Sequence, residues 1–231
     1  MPKAERLIKG YLIPSTLFIT IKQVNIMKDL KVDKILTELN ITGEVLAVFP
    51  YGSHVYGTAT EESDRDYIIV MKSSLLPSGA FKDNAISNAD YSIQGVVYSR
   101  GGFQDAINNY EIAALECISL SPSDKLVDKW TFKINNWNET TMVKKIIEKA
   151  SASRHIANMQ SKSGDKEYAI KGMFHALRIL QFGLQLKKHR KIVDFQVCNN
   201  LYNDFMKIIP ENFDTRNYFR IFDELLIELR K

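Results

Sequence analysis

The sequence predicts an α+β fold in which a small strand-containing first lobe is followed by a helical second lobe. Two short apolar runs, Val45–Phe49 and Asp66–Met71, flank a glycine turn in the first half and read as strands. From Met142 onward, apolar residues recur at helical spacing with few interruptions. The chain has 231 residues, of which 45% are hydrophobic and 25% charged. That balance is ordinary for a globular protein and excludes fibrous or disordered architectures.

Residues 1–26 read as an N-terminal extension. A basic start (Lys3, Arg6, Lys9) and an apolar stretch from Tyr11 to Ile21 superficially resemble a secretory leader. Pro14, Ser15 and Thr16 interrupt the stretch, no small-residue cleavage site follows, and the run falls short of the roughly 20 residues of a membrane helix. The expectation is a cytoplasmic protein with no membrane segment. Residues 27–125 form the first expected domain. It opens with a helix from Lys28 to Leu39, whose Leu30, Val32, Ile35, Leu36 and Leu39 share one face. Asn40 and Gly43 stop this helix.

After the two strands, a polar segment with Pro77, Gly79, Asp83 and Asn84 reads as the most mobile loop of the first half. A third strand is expected over Tyr91–Tyr98. Beyond Gly101 and Gly102, Phe103, Ala106, Ile107, Tyr110, Ala113 and Ala114 make a helical stripe that Ser121-Pro122 ends. Residues 140–231 form the expected helical domain, with breaks near Ser161–Gly164, Lys187–Lys191 and Pro210. A net charge of +4 permits contact with phosphates without demanding it. Cys117 and Cys198 lie in unrelated settings, so two buried, reduced thiols are expected rather than a zinc site or a disulfide.

The segment from Tyr51 to Val70 carries the chemistry. Gly52 follows a strand and lets the backbone turn closely, while Ser53 offers a hydroxyl and the neighbouring amides can form a phosphate-binding concavity. Asp64 and Asp66 are two apart at the start of the second strand, which puts both carboxylates on one face. Two hard oxygen ligands suit Mg2+, which is held by a few carboxylates together with substrate phosphates. Like charges clustered in this way are costly without a cation.

Gly52-Ser53, Gly57-Thr58 and Ser63-Asp64-Arg65-Asp66 resemble the GS-x(3)-GT…SDxD signature of DNA polymerase β-like nucleotidyltransferases. The resemblance implies a small mixed β-sheet nucleotidyltransferase lobe with flanking helices, followed by a helical lobe. It also implies transfer of a nucleoside monophosphate from an NTP to a hydroxyl acceptor, assisted by two Mg2+ ions. Phe103, Asn108, Asn109 and Leu115-Glu116 are similar to the segment after the catalytic strands in the RNA-ligase-associated, YcgL-like branch. Lys171-Gly-Met-Phe-His175-Ala-Leu-Arg178 resembles that branch's K-x(3)-H-A-x-R helix. The branch implies RNA or tRNA as acceptor; a protein side chain or a small molecule is the alternative, and an inactive nucleotide-binding regulator or antitoxin-like protein is the third reading.

Lys171, His175 and Arg178 fall at i, i+4 and i+7 on one side of a helix, beside an apolar stripe of Ile170, Phe174, Leu177 and Leu184. They are the expected nucleotide-binding cations, together with Gly52 and Ser53. The resemblance calls for a third metal-binding carboxylate. Asp90, which precedes the apolar run ending at Tyr98, is the first candidate and Glu116 the second. Aligning on Tyr98 instead puts Gln94 there, and Gln94 shares strand parity with Asp90. His54 and Tyr56 sit inside the signature loop as potential base or ribose contacts. The basic run Lys187–Lys191 reads as a solvated helix end, and Trp130 and Trp137 read as packing residues.

Overall fold

The computed structural model describes residues 6–8, 11–13, 30–72, 85–206 and 215–231. The 73–84 segment, the break at Pro210 and most of the 1–26 extension lie outside the described residues. Two short strands near the start, β1 (Arg6–Ile8) and β2 (Tyr11–Ile13), pair antiparallel.

The centre of the fold is a five-stranded mixed sheet. Its strands are β3 (Val45–Tyr51), β4 (Arg65–Met71), β5 (Ala85–Ser87), β6 (Ile93–Ser99) and β7 (Val127–Asp128), in the order β5-β6-β4-β3-β7. The β4–β6 pair is parallel and the other three pairs are antiparallel. Strand β4 is central and covered on both sides, which is why its sequence runs Tyr-Ile-Ile-Val-Met without polar alternation. The third strand starts later than the sequence pattern predicts, because residues 88–92 turn tightly to bring β5 against β6.

The two faces of the sheet bury against different partners. Val45, Val48, Tyr67, Ile69 and Val97 pack on Val32 and Ile35 of the helix over residues 30–38, α1, and on Leu39 in the turn that follows it. A left-handed Asn40 ends α1: the Ile41 amide donates to Leu36 O at 2.8 Å and the Asn40 amide to Thr37 O at 3.1 Å. Ala47, Phe49, Ile68, Val70, Val96 and Tyr98 face the opposite way, into the helical half. A bulge between Val45 and Ala47 switches the parity of β3, so Val45 reaches the α1 side.

On the second face lie α2 (Ser53–Tyr56), α3 (Arg100–Asn108) and α4 (Ile112–Ser119), followed by α5 (Glu139–Lys162), α6 (Lys166–His189), α7 (Asn199–Met206) and α8 (Thr215–Arg230). The single helical stripe predicted beyond Gly102 is two helices. Tyr110 takes a left-handed conformation and breaks it. Ser99, Asn138 and Asp165 cap α3, α5 and α6 with their side-chain oxygens.

The helical lobe is not a separate body with its own core. One continuous apolar cluster runs from Phe49 and Val70 of the sheet through Ile107 and Leu115 to Ile146, Leu180, Phe222 and Leu229. At Gly183 of α6 an added Cβ would stand 2.6 Å from Ile146 and 3.1 Å from Leu229, so glycine sets the close approach of α5, α6 and α8. No described helix is long and apolar enough to cross a membrane. Both cysteines are buried and free.

Candidate functional site

Strand register builds the site. Tyr51 is the cross-strand partner of Asp66, and Asp66 is the parallel-strand partner of Gln94. All three share the parity of Phe49, Ile68 and Val96, so they emerge on the face that the helical half covers. Asp64 shares the parity of Asp66, two residues earlier.

The turn from β3 into α2 closes directly on this pair. Gly52 has φ of 74°, and a Cβ on it would lie 2.1 Å from Asp66 Oδ2. No side chain fits there, so glycine lets the backbone rest against the carboxylate. The Val55 and Tyr56 amides donate to Gly52 O at 3.0 and 3.2 Å, winding the single turn of α2. Ser53 Oγ is buried and has no hydrogen-bond partner among the described residues. An unpartnered buried hydroxyl is costly.

The acidic pair is electrostatically strained. Burial, reinforced by the neighbouring Asp64 charge, pushes the Asp66 carboxyl up to about 6, and His54 pulls it partly back. His54 Nε2 lies 3.4 Å from Ser63 O at the exposed rim. Gln94 Nε2 donates to Asp64 Oδ2.

The remaining predicted carboxylates are placed elsewhere. Asp90 is exposed in the turn before β6 and accepts from the Ser92 amide at 3.0 Å and its hydroxyl at 2.6 Å, bonds that hold its carboxyl below the usual range. Asp64, Asp66 and Asp90 therefore do not come together, and no group of three His, Cys, Asp or Glu suited to a metal occurs among the described residues. The register position beside Asp66 belongs to Gln94. Glu116 is buried in the apolar core, where it accepts from the Tyr56 hydroxyl at 2.6 Å. Burial raises it to about 8, against the opposing effects of that bond and of Arg178.

The α6 cations divide along the helix. Lys171 is half-exposed and pairs with Glu167 at 2.8 Å. Arg178 is buried and lies 4.0 Å over the Tyr56 ring, bracing the floor of the serine turn. Tyr56 is correspondingly buried and offers nothing to a base or ribose. His175 lines a cavity of about 620 Å3 between the sheet end and the helices. Tyr51 also lines it and is the wall shared with the acidic pair.

Periodicity alone does not single out Lys145 and Lys149 of α5, which reach this cavity. They flank the buried Met142, Ile146 and Ala150 stripe, a position that reads equally well as solvated surface. Nor does it single out the clamp on the signature loop. Asn199 Nδ2 donates to Tyr56 O at 2.8 Å, and a Cβ on Gly57, whose φ is 72°, would stand 3.0 Å from Gln196 Nε2. Of the two tryptophans, Trp137 packs edge-on to Tyr110 at 5.8 Å. Trp130 is 44% exposed with Arg100 over its ring, contrary to the packing role expected for it. No protein-family model matches the chain, and no curated protein matches it significantly.

Proposed function

We propose that the protein is a Mg2+-dependent nucleotidyltransferase that moves a nucleoside monophosphate from an NTP to a hydroxyl acceptor. The observation that carries this reading is the contact of the Gly52 backbone with the Asp66 carboxylate, which brings the turn that bears the unpartnered Ser53 hydroxyl against a pair of like-charged acids. Polyphosphate and a divalent cation together would satisfy both groups.

The donor set fits one hard cation better than two. Asp64 and Asp66 would hold it, with substrate phosphates completing the shell. When bound, the ion would neutralise charge on the phosphates and on departing pyrophosphate. Ser53 and the amides of its turn would hold the polyphosphate, and Gln94 fixes the orientation of Asp64. RNA or tRNA is the acceptor class implied by the resemblance. Two free thiols support a reducing, cytoplasmic setting.

Incubation with α-labelled NTP, Mg2+, total RNA and total protein is expected to release pyrophosphate and label a macromolecule. Label in the RNA fraction favours the RNA acceptor, whereas label in protein rejects it. Asp64→Asn and Asp66→Asn are expected to abolish transfer while keeping or raising the melting temperature, because each relieves repulsion. Absence of both pyrophosphate and label in the wild type sinks the reading.

Gln94 at the third position favours one alternative, a regulator that binds nucleotide without turning it over. Mg2+-dependent NTP binding without pyrophosphate release would select it.

A further inference from the structure

The cavity of about 620 Å3 beside Tyr51 is unsuited to a polyphosphate. Its charges cancel: Lys145 and Lys149 from α5 are matched by Glu111 and Glu148, with Lys145 3.3 Å from Glu148. A polyphosphate calls for an excess of positive charge, so the group that fits here is neutral. Tyr51, Tyr110 and Ile112 give the cavity apolar walls, and His175 joins them from α6. Burial, with repulsion from Arg178 and Lys149, pushes the His175 imidazole down to about 4, which keeps it neutral at pH 7. A neutral imidazole carries one donor and one acceptor. A mostly apolar cleft of roughly 300–1,000 Å3 with a few convergent polar groups is the ordinary form of a small-molecule site.

We infer that this cavity binds a nucleobase, a planar neutral ring with both donors and acceptors on its edge, with the sugar end toward Tyr51 and its strand partner Asp66. The assignment rests on the nucleotidyltransferase reading for the chemistry beyond Tyr51. Two sources present the same ring: the base of the donor NTP, or the terminal nucleoside of a nucleic-acid acceptor.

Titration calorimetry on the full chain with Mg2+ separates them, using tripolyphosphate, the four NTPs and the four free nucleosides as probes. The variants are Ala113→Phe, which fills the cavity wall, and Asn109→Trp, at an exposed position on the rim. For the donor base, one NTP binds on the order of ten-fold tighter than tripolyphosphate, and both variants erase that margin while leaving tripolyphosphate binding unchanged. For an acceptor nucleoside, NTP and tripolyphosphate bind alike, and a free nucleoside binds the wild type but neither variant. Unchanged NTP and nucleoside binding in the variants overturns the cavity assignment and leaves the serine-turn reading standing. Failure of tripolyphosphate to bind the wild type counts instead against the serine turn, and the nucleoside arm still judges the cavity. Should Ala113→Phe fail to fold, Asn109→Trp decides.

Discussion

Gly52 shows how one residue without a side chain fixes a site. Its positive φ and the 2.1 Å approach of Asp66 Oδ2 to a virtual Cβ exclude alanine twice over. Gly52→Ala is expected to cost more than about 1 kcal/mol of stability and to displace Asp66. Urea unfolding reads the first effect and Mg2+-dependent NTP binding the second. Two titratable groups, the buried Glu116 and the partly buried His175, set opposing pH slopes. His175, depressed from 6.5 to about 4, contributes stability that is full above 6.5 and is lost as pH falls through 4. Glu116, raised from 4.5 to about 8, contributes stability that is full below 4.5 and is lost as pH rises through 8. His175→Asn should flatten the acid limb of a plot of melting temperature against pH, and Glu116→Gln the alkaline limb. If neither limb changes, the surroundings of the two groups do not shift their titration as described.

The short helix α2 cannot hold itself, since a single turn fixes more backbone than its hydrogen bonds repay. It is held from below by Tyr56 on Glu116 and Arg178, and from the side by Asn199 on the Tyr56 carbonyl. Tyr56→Phe removes the donor to a buried carboxyl, with an expected cost of about 1–3 kcal/mol. It should also raise the KM for NTP more than it lowers kcat, because the serine turn loosens while the acidic pair stays in place. An unchanged KM would show that the hydroxyl bond to Glu116 is not needed to hold the turn. Existence and order of the main elements were readable from periodicity; the break at Tyr110 and the strands β5 and β7 were not. Those short strands carry no pattern of their own and exist through pairing with β6 and β3.

One face of the sheet and the helices packed on it share a continuous apolar cluster, so the chain is expected to melt in one transition with equal calorimetric and van't Hoff enthalpies. Two resolved transitions would mean that the lobes fold independently, as the 27–125 and 140–231 division by pattern suggests. Gly183 lies where α5, α6 and α8 meet. Gly183→Ala would force Ile146 and Leu229 apart at an expected cost of about 1–3 kcal/mol, measured by the urea midpoint.

The sequence by itself determined the α+β class, the helical second half, and the local unit in which a glycine-serine turn and the Asp64–Asp66 alternation stand at neighbouring strand ends. Each depends on spacing over a few residues, which backbone geometry converts directly into shared faces. Only the tertiary structure decided which distant side chains join that unit. Strand register put Gln94 beside Asp66 and left Asp90 in a turn. The seat of α6 buried Arg178 under Tyr56 and left Lys171 half-exposed, although Lys171, His175 and Arg178 share a helical side. Register and helix placement are set by how the whole core fills, and no local pattern encodes that.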